Sequence, residues 1–233
     1  MVFYKSRLWP AIKKTGRFMN MKDFSIQGLG SISGGEFNRL TVEGMGTNHG
    51  DIIAEYLSIE GVFKSTGNVN AQVMECEGVA DFSGNLRCKK VVMEGVLNLK
   101  AESKLEADDI VGEGCINTKA DINADRIKLR GCVNAKGIYG DQIEIESKQE
   151  GYSTIKRFLH KINLSEHSKA SNIELIEATK IILTGVSAKE VNGHDIVIGP
   201  YCEVEKVDCT GTLRVHETAK VGTIVGAAPT QNT

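Results

Sequence analysis

Apolar and polar residues alternate along this chain in short bursts, and each burst ends in glycine. Five segments make the point in turn: Leu40-Thr-Val-Glu-Gly44, Leu57-Ser-Ile-Glu-Gly61, Met74-Glu-Cys-Glu-Gly78, Val91-Val-Met-Glu-Gly95 and Ile110-Val-Gly-Glu-Gly114. Phe24-Ser-Ile-Gln-Gly28 and Ile127-Lys-Leu-Arg-Gly131 flank them as variants. The closing glycines advance by 16, 17, 17, 17, 19 and 17 residues. A small residue follows six positions later in every case: Gly34, Gly50, Gly67, Gly84, Ala101, Ala120 and Gly137. Alternation at period two marks half-buried strands, and small residues at fixed offsets mark corners. One such coil cannot bury its own apolar face, but stacked coils pair every backbone group and share one core. The expected fold is therefore all-β, a parallel β-solenoid with coils of about 17 residues.

The rhythm breaks after Ile143-Glu-Ile-Glu-Ser147 and returns in Ala178-Thr-Lys-Ile-Ile-Leu-Thr-Gly185 and Val204-Glu-Lys-Val-Asp-Cys-Thr-Gly211. The expected organisation is a first solenoid block over 21–147, an insertion over 148–172, and a second block over 173–224. The second block is either separate or a continuation of the first. Residues 225–233, rich in Gly, Ala, Pro, Thr and Asn, read as a disordered tail. The first twenty residues stand outside the repeat. Gly16-Arg17 matches a codon pair that reads as a ribosome-binding sequence, so Met21 is the expected native start and 1–20 a translated leader.

Composition narrows the classes. Aromatics are 6% of 233 residues, so aliphatics must fill the core. Glycine is frequent at 25 and proline scarce at 3, which favours repeated turns over disorder. A net charge of −2 gives no electrostatic reason to expect nucleic acid. No stretch reaches the length of a membrane span, and no signal-peptide core is present. A reducing cytoplasm is the expected compartment, with Cys76, Cys88, Cys115, Cys132, Cys202 and Cys209 as free thiols. Cys115 and Cys132 occupy equivalent places in adjacent coils. A disulfide is conceivable there geometrically, but the expected compartment argues against it.

Candidate chemistry is thin. Gly28-Leu-Gly30 and Gly44-Met-Gly46 recur with every coil and open no helix, unlike a phosphate loop. His49, His160, His167, His194 and His216 show no metal-ligand spacing. No catalytic residue, cofactor or metal site is expected. Two features stand out. Glu43, Glu60, Glu77, Glu94 and Glu113 precede successive corner glycines and form an acidic ladder. Like charges one strand apart repel by on the order of 1 kcal/mol in water. The ladder is either a solvated edge or a stripe that docks a basic partner or divalent cations. Within 148–172, Ile155, Phe158, Leu159 and Ile162 fall on one helical face, with Lys156, Arg157 and Lys161 beside it. The expectation is a short amphipathic helix that packs on the solenoid, or else meets a membrane surface or a partner.

The glycine-punctuated coils with their small-x-x-apolar-x-apolar-x-Gly phrases resemble the bactofilins, polymer-forming bacterial cytoskeletal proteins. Asp195-Ile-Val-Ile-Gly-Pro-Tyr-Cys-Glu-Val204 is similar to the closing part of the two-block bactofilin-like proteins of Gram-positive bacteria. The likeness covers about residues 21–224. It implies a right-handed β-helix, head-to-tail assembly without nucleotide, and roles in cell shape, envelope organisation or motility. The insertion and second block depart from the usual single solenoid.

The functional expectation is a non-enzymatic, self-assembling scaffold whose first partner is itself. Its expected place is the cytoplasm, with peripheral contact at the inner face of the cell membrane and protein clients of unstated identity. The expected contact edges are Phe24 and Ile26 at one end and Leu213, Val215, Val221 and Ile224 at the other. Two alternatives stand beside it. One is a solenoid acyltransferase of the hexapeptide-repeat kind, which Val197-Ile-Gly-Pro-Tyr-Cys-Glu-Val204 superficially resembles but whose six-residue rhythm is not sustained. The other is a localisation adaptor that does not polymerise.

Overall fold

A computed structural model describes residues 21–147, 171–228 and 230–232, and every regular element among them is a strand. The first coils each carry one strand of four residues and one of five to eight. They are β1 (Lys22–Ile26), β2 (Leu29–Ile32), β3 (Gly35–Val42), β4 (Met45–Asn48), β5 (Ile52–Ile59), β6 (Val62–Ser65), β7 (Val69–Cys76), β8 (Val79–Phe82), β9 (Leu86–Met93) and β10 (Val96–Leu99). Strand pairing then continues through the corners, giving the longer β11 (Leu105–Asn117) and β12 (Asp121–Glu146). Beyond the insertion come β13 (Ser171–Thr184), β14 (Val186–Ile198), β15 (Glu203–Cys209), β16 (Leu213–His216), β17 (Lys220–Gly226) and β18 (Thr230–Asn232).

All pairings are parallel, and the register follows the sequence columns. Leu40 lies beside Leu57, Leu57 beside Met74, Met74 beside Val91, Val91 beside Ile110 and Ile110 beside Ile127. Each of these side chains is buried, and together they form one aliphatic column through the core. About eleven turns of roughly 17 residues result, a parallel β-solenoid. Two aromatics enlarge the core early on, Phe63 and Phe82, with ring centroids 6.2 Å apart in edge contact.

The solenoid does not stop at the insertion. β12 pairs with β13 from Asn134↔Asn172 to Glu146↔Thr184. Partners there are 38 residues apart, and residues 148–170 supply 23 of that interval, so the described part of this coil holds 15. The hydroxyls of Ser147 and Ser171 meet at 2.5 Å, and Ser171 Oγ accepts from the Val133 amide at 2.9 Å. The two blocks are therefore one continuous stack. The short amphipathic helix expected over 155–162 and the leader expected over 1–20 lie outside the described residues.

Two expectations are corrected. Cys115 and Cys132 are joined by a disulfide rather than free, because the parallel register sets them directly side by side with Cα atoms 4.6 Å apart. The other four cysteines are free and buried. Within the tail expected to be disordered over 225–233, the described residues instead include strand that extends the stack. β17 continues to Gly226, and β18 pairs with β16 through Arg214↔Thr230, Val215↔Gln231 and His216↔Asn232.

The corner glycines are small for a steric reason. A Cβ added at Gly44, Gly61, Gly78 or Gly95 would lie 1.9–2.1 Å from the carbonyl oxygen of the corner glycine one coil earlier. The same stacking explains the second column: a Cβ on Gly67 or Gly84 would strike the backbone of Gly50 or Gly67. Side-chain ladders tie the coils further. Asn98 donates to Asp81 at 2.8 Å, Asn117 to Asn98 at 3.0 Å and Asn134 to Asn117 at 2.8 Å.

Candidate functional site

A stack of coils has two ends, and backbone groups there lack the partners that every inner strand has. At the first end, among the described residues, β1 pairs only with β3 and β2 only with β4. At the other, again among the described residues, β17 pairs only with β15 and β18 only with β16. Apolar side chains are exposed at both: Phe24 at 44% and Leu29 at 83% on the first, Ile224 at 36% and Val225 at 43% on the last. Phe24 is steadied by Phe37 of the next coil, ring centroid to ring centroid 6.1 Å.

The expected edge residues divide accordingly. Phe24 and Ile224 are exposed on edge strands, and Val221 is half-buried on β17. Ile26 stands on β1 but points into the core and is buried. Leu213 and Val215 are not edge residues, because β18 covers β16 on the side that would have been open. Leu213 is buried as well. The reason is the tail: a strand that the Gly-Ala-Pro composition concealed adds part of another coil.

The acidic ladder is also divided. Glu43, Glu60, Glu77 and Glu94 are exposed at stacked corners, their amides donating to the carbonyls of Ile26, Val42, Ile59 and Cys76 one coil back. Glu113 lies within β11 and forms an ion pair with Arg130 at 2.7 Å. Arg130 also reaches Glu146 at 3.4 Å. The stripe is thus four carboxylates long, and the fifth is neutralised by the arginine that replaces glutamate one coil later. Among the described residues, no group of three or more His, Cys, Asp or Glu side chains is placed to hold a metal ion. His194 contacts Thr210 of the next coil at 3.2 Å, and His216 contacts Thr218 two residues further on at 2.9 Å.

One column escaped the sequence reading. The residue after each corner glycine is apolar in seven consecutive coils: Leu29, Met45, Val62, Val79, Val96, Cys115 and Cys132. Their register is continuous. Their successors Phe63, Ala80, Leu97, Ile116 and Val133 fill the core, so at period two this column faces away from it. The signal was legible, since the column can be read directly from the repeat alignment. It passed unnoticed because apolar residues beside a glycine corner look like core.

Perturbed acids and thiols follow the same geometry. Burial pushes the Cys76 and Cys88 thiols up to about 12, which makes them unreactive lining of the core. Asp125 is raised by partial burial and then by Asp108, Asp141 and Asp109 around it. Asp195 is lowered chiefly by the hydroxyl of Thr212, which donates to it at 2.5 Å.

Comparison with known proteins adds little chemistry. No family model matches the chain, and no solved structure matches it. A stretch of 50 residues is 42% identical to the "Uncharacterized protein YhbE" of Bacillus subtilis (strain 168), covering 22% of this chain and 21% of that protein. The matched stretch therefore spans about a fifth of the relative's length.

Proposed function

We propose that this chain is a non-enzymatic scaffold that assembles end to end with copies of itself, in the manner of a bactofilin-like polymer. The observation that carries the reading is the pair of stack ends, where the edge strands are paired on one side alone among the described residues and apolar side chains are exposed. All strands are parallel, so the last coil of one copy meets the first coil of the next in the orientation used by every inner pair. Such a contact is heterologous and does not close on itself, which favours filaments over dimers. The columns support the match. The column that starts at Phe24 runs through Leu40 to Ile127 and resumes through Ile143, Ile181, Ile196 and Leu213, beneath β18. β1 and β18 therefore occupy the same side of the solenoid, where one would pair with the other across the junction. Fold and coil length agree with the resemblance to the bactofilins, whose roles in cell shape and envelope organisation suit such a polymer.

Negative-stain electron microscopy and light scattering of the purified chain test the reading. Filaments are expected, and Phe24→Asp or Ile224→Asp is expected to dissolve them by placing a charge in a dehydrated junction. A wild-type chain that stays monomeric at high concentration would refute end-to-end assembly.

A further inference from the structure

Copies that share one side for β1 and β18 can join in two ways. In one, β1 of the next copy lies on β18; in the other, it takes the row that β18 holds on β16. Counting turns separates them. β16 is followed within its own turn by Lys220–Val221 of β17, as β1 is followed by β2. Ser31 of β2 and Lys220 end a single register column, which runs through Thr47, Asn98, Asn172 and Glu203. β1 placed on β18 therefore leaves β2 two rows above Lys220–Val221, with no described strand for the row between. β1 placed on β16 sets the described edge strands one row, about 4.8 Å, from partners. Phe24 and Ile26 then lie beside Leu213 and Val215, and Ser31 and Ile32 beside Lys220 and Val221. Gly35 falls beside the exposed Ile224, since these two also end one column. Lys22 alone would meet Gly226 in one place, and as the exposed first residue of β1 it has only to turn aside.

A core column makes the same choice. Ile26, Val42, Ile59, Cys76 and Met93 stand in register near one end, and Leu183, Ile198 and Val215 near the other. β18 continues this column with glutamine, at position 231. β1 of a second copy would continue it with Ile26. An amide at a buried position costs free energy that a hydrocarbon does not. β18 is also three residues long against five in β1, so its ladder is shorter.

We propose that β18 is a self-supplied cap. It holds the row on β16 that fits β1 of a second copy, and assembly proceeds by exchanging one strand for the other, a form of β-strand addition. In the separate chain the cap covers β16, whose bare edge would pair with any strand. It also sets a threshold for assembly, because only chains with β18 released are competent to join. The inference rests on end-to-end assembly and changes only the strand that β1 meets.

Pelleting and light scattering over a concentration series measure the threshold. A chain ended at Ala228 lacks β18 and is expected to assemble at a concentration at least about threefold lower than the wild type. Gln231→Ile suits the cap to its column and is expected to raise the threshold. Arg214→Cys/Thr230→Cys locks the cap in the full chain, since these exposed residues are directly paired as Cys115 and Cys132 are. Its oxidised form is expected to stay unassembled and dithiothreitol to restore assembly, with wild type in the same reductant as the control. Should the shortened chain not fold, the locked and released forms of this variant decide. An unchanged threshold in the shortened chain, or assembly by the locked form, would overturn the proposal and leave end-to-end assembly standing. So would loss of assembly by a folded shortened chain, which would make β18 the seat of β1. Wild-type and shortened chains that both stay monomeric would overturn end-to-end assembly and the cap together.

Discussion

Replacing Gly78 by alanine probes the steric core of the repeat. The added Cβ would lie 1.9 Å from the Gly61 carbonyl oxygen and 2.8 Å from its carbon. Relief requires the two coils to separate locally by more than 1 Å out of the ~4.8 Å spacing. That movement strains the bonds from the Val79 amide to Gly61 O and from the Glu77 amide to Ile59 O, both 2.8 Å. Two weakened hydrogen bonds at about 1 kcal/mol each, with about 1–3 kcal/mol of overpacking, sum to about 3–5 kcal/mol. Alanine's smaller unfolded-state entropy offsets about 0.4–1 kcal/mol of this. Gly28 is the matched control. It occupies the same column on the first coil, and its Cβ would touch nothing within 4 Å, but its φ is +83°. Gly28→Ala therefore costs only the left-handed strain of an L-residue, about 1–2 kcal/mol. Urea unfolding followed by far-ultraviolet circular dichroism measures both. Gly78→Ala should lose at least about 1 kcal/mol more than Gly28→Ala. Equal losses would mean that the corner is selected for backbone conformation and not for stacking.

Further outcomes follow from the same structure. Reducing the Cys115–Cys132 disulfide, which closes a 17-residue interval, should lower stability by up to ~3 kcal/mol in unfolding curves run with and without dithiothreitol. Native Cys76 and Cys88 should resist iodoacetamide at pH 8 and react fully in denaturant, since both thiols titrate near 12. Asp125 is held above its ordinary range in the folded state, so its ionisation opposes folding at pH values above its unfolded pKa. Asp125→Asn should thus raise the urea midpoint at pH 7, and the gain should disappear near pH 3, where the carboxyl is protonated in both states. Asp195 has the opposite sign. Thr212→Val should remove stability that is present at neutral pH and lost as the medium is acidified through the folded-state pKa of Asp195.

The sequence by itself determined the fold class, the coil length and most of the register. The reason is local and repetitive: each coil states the same alternation, so Leu40, Leu57, Met74 and Val91 align without any knowledge of distant contacts. It also placed Glu43, Glu60, Glu77 and Glu94 at the corners and Phe24 and Ile224 at the ends. Tertiary structure decided whatever depends on what lies one coil away. Leu213 and Val215 lost their place at the edge because Thr230–Asn232 pair over them, which a stretch of Gly, Ala and Pro did not announce. Glu113 left the ladder because Arg130 stands directly beside it. Cys115 and Cys132 became a disulfide because parallel register sets their Cα atoms 4.6 Å apart, a proximity that outweighed an argument from compartment. The continuity of the stack across the insertion was decided in the same way. A pattern of residues states which side chains want burial, whereas only backbone pairing between Asn134 and Asn172 shows that the coils on either side of the insertion are neighbours.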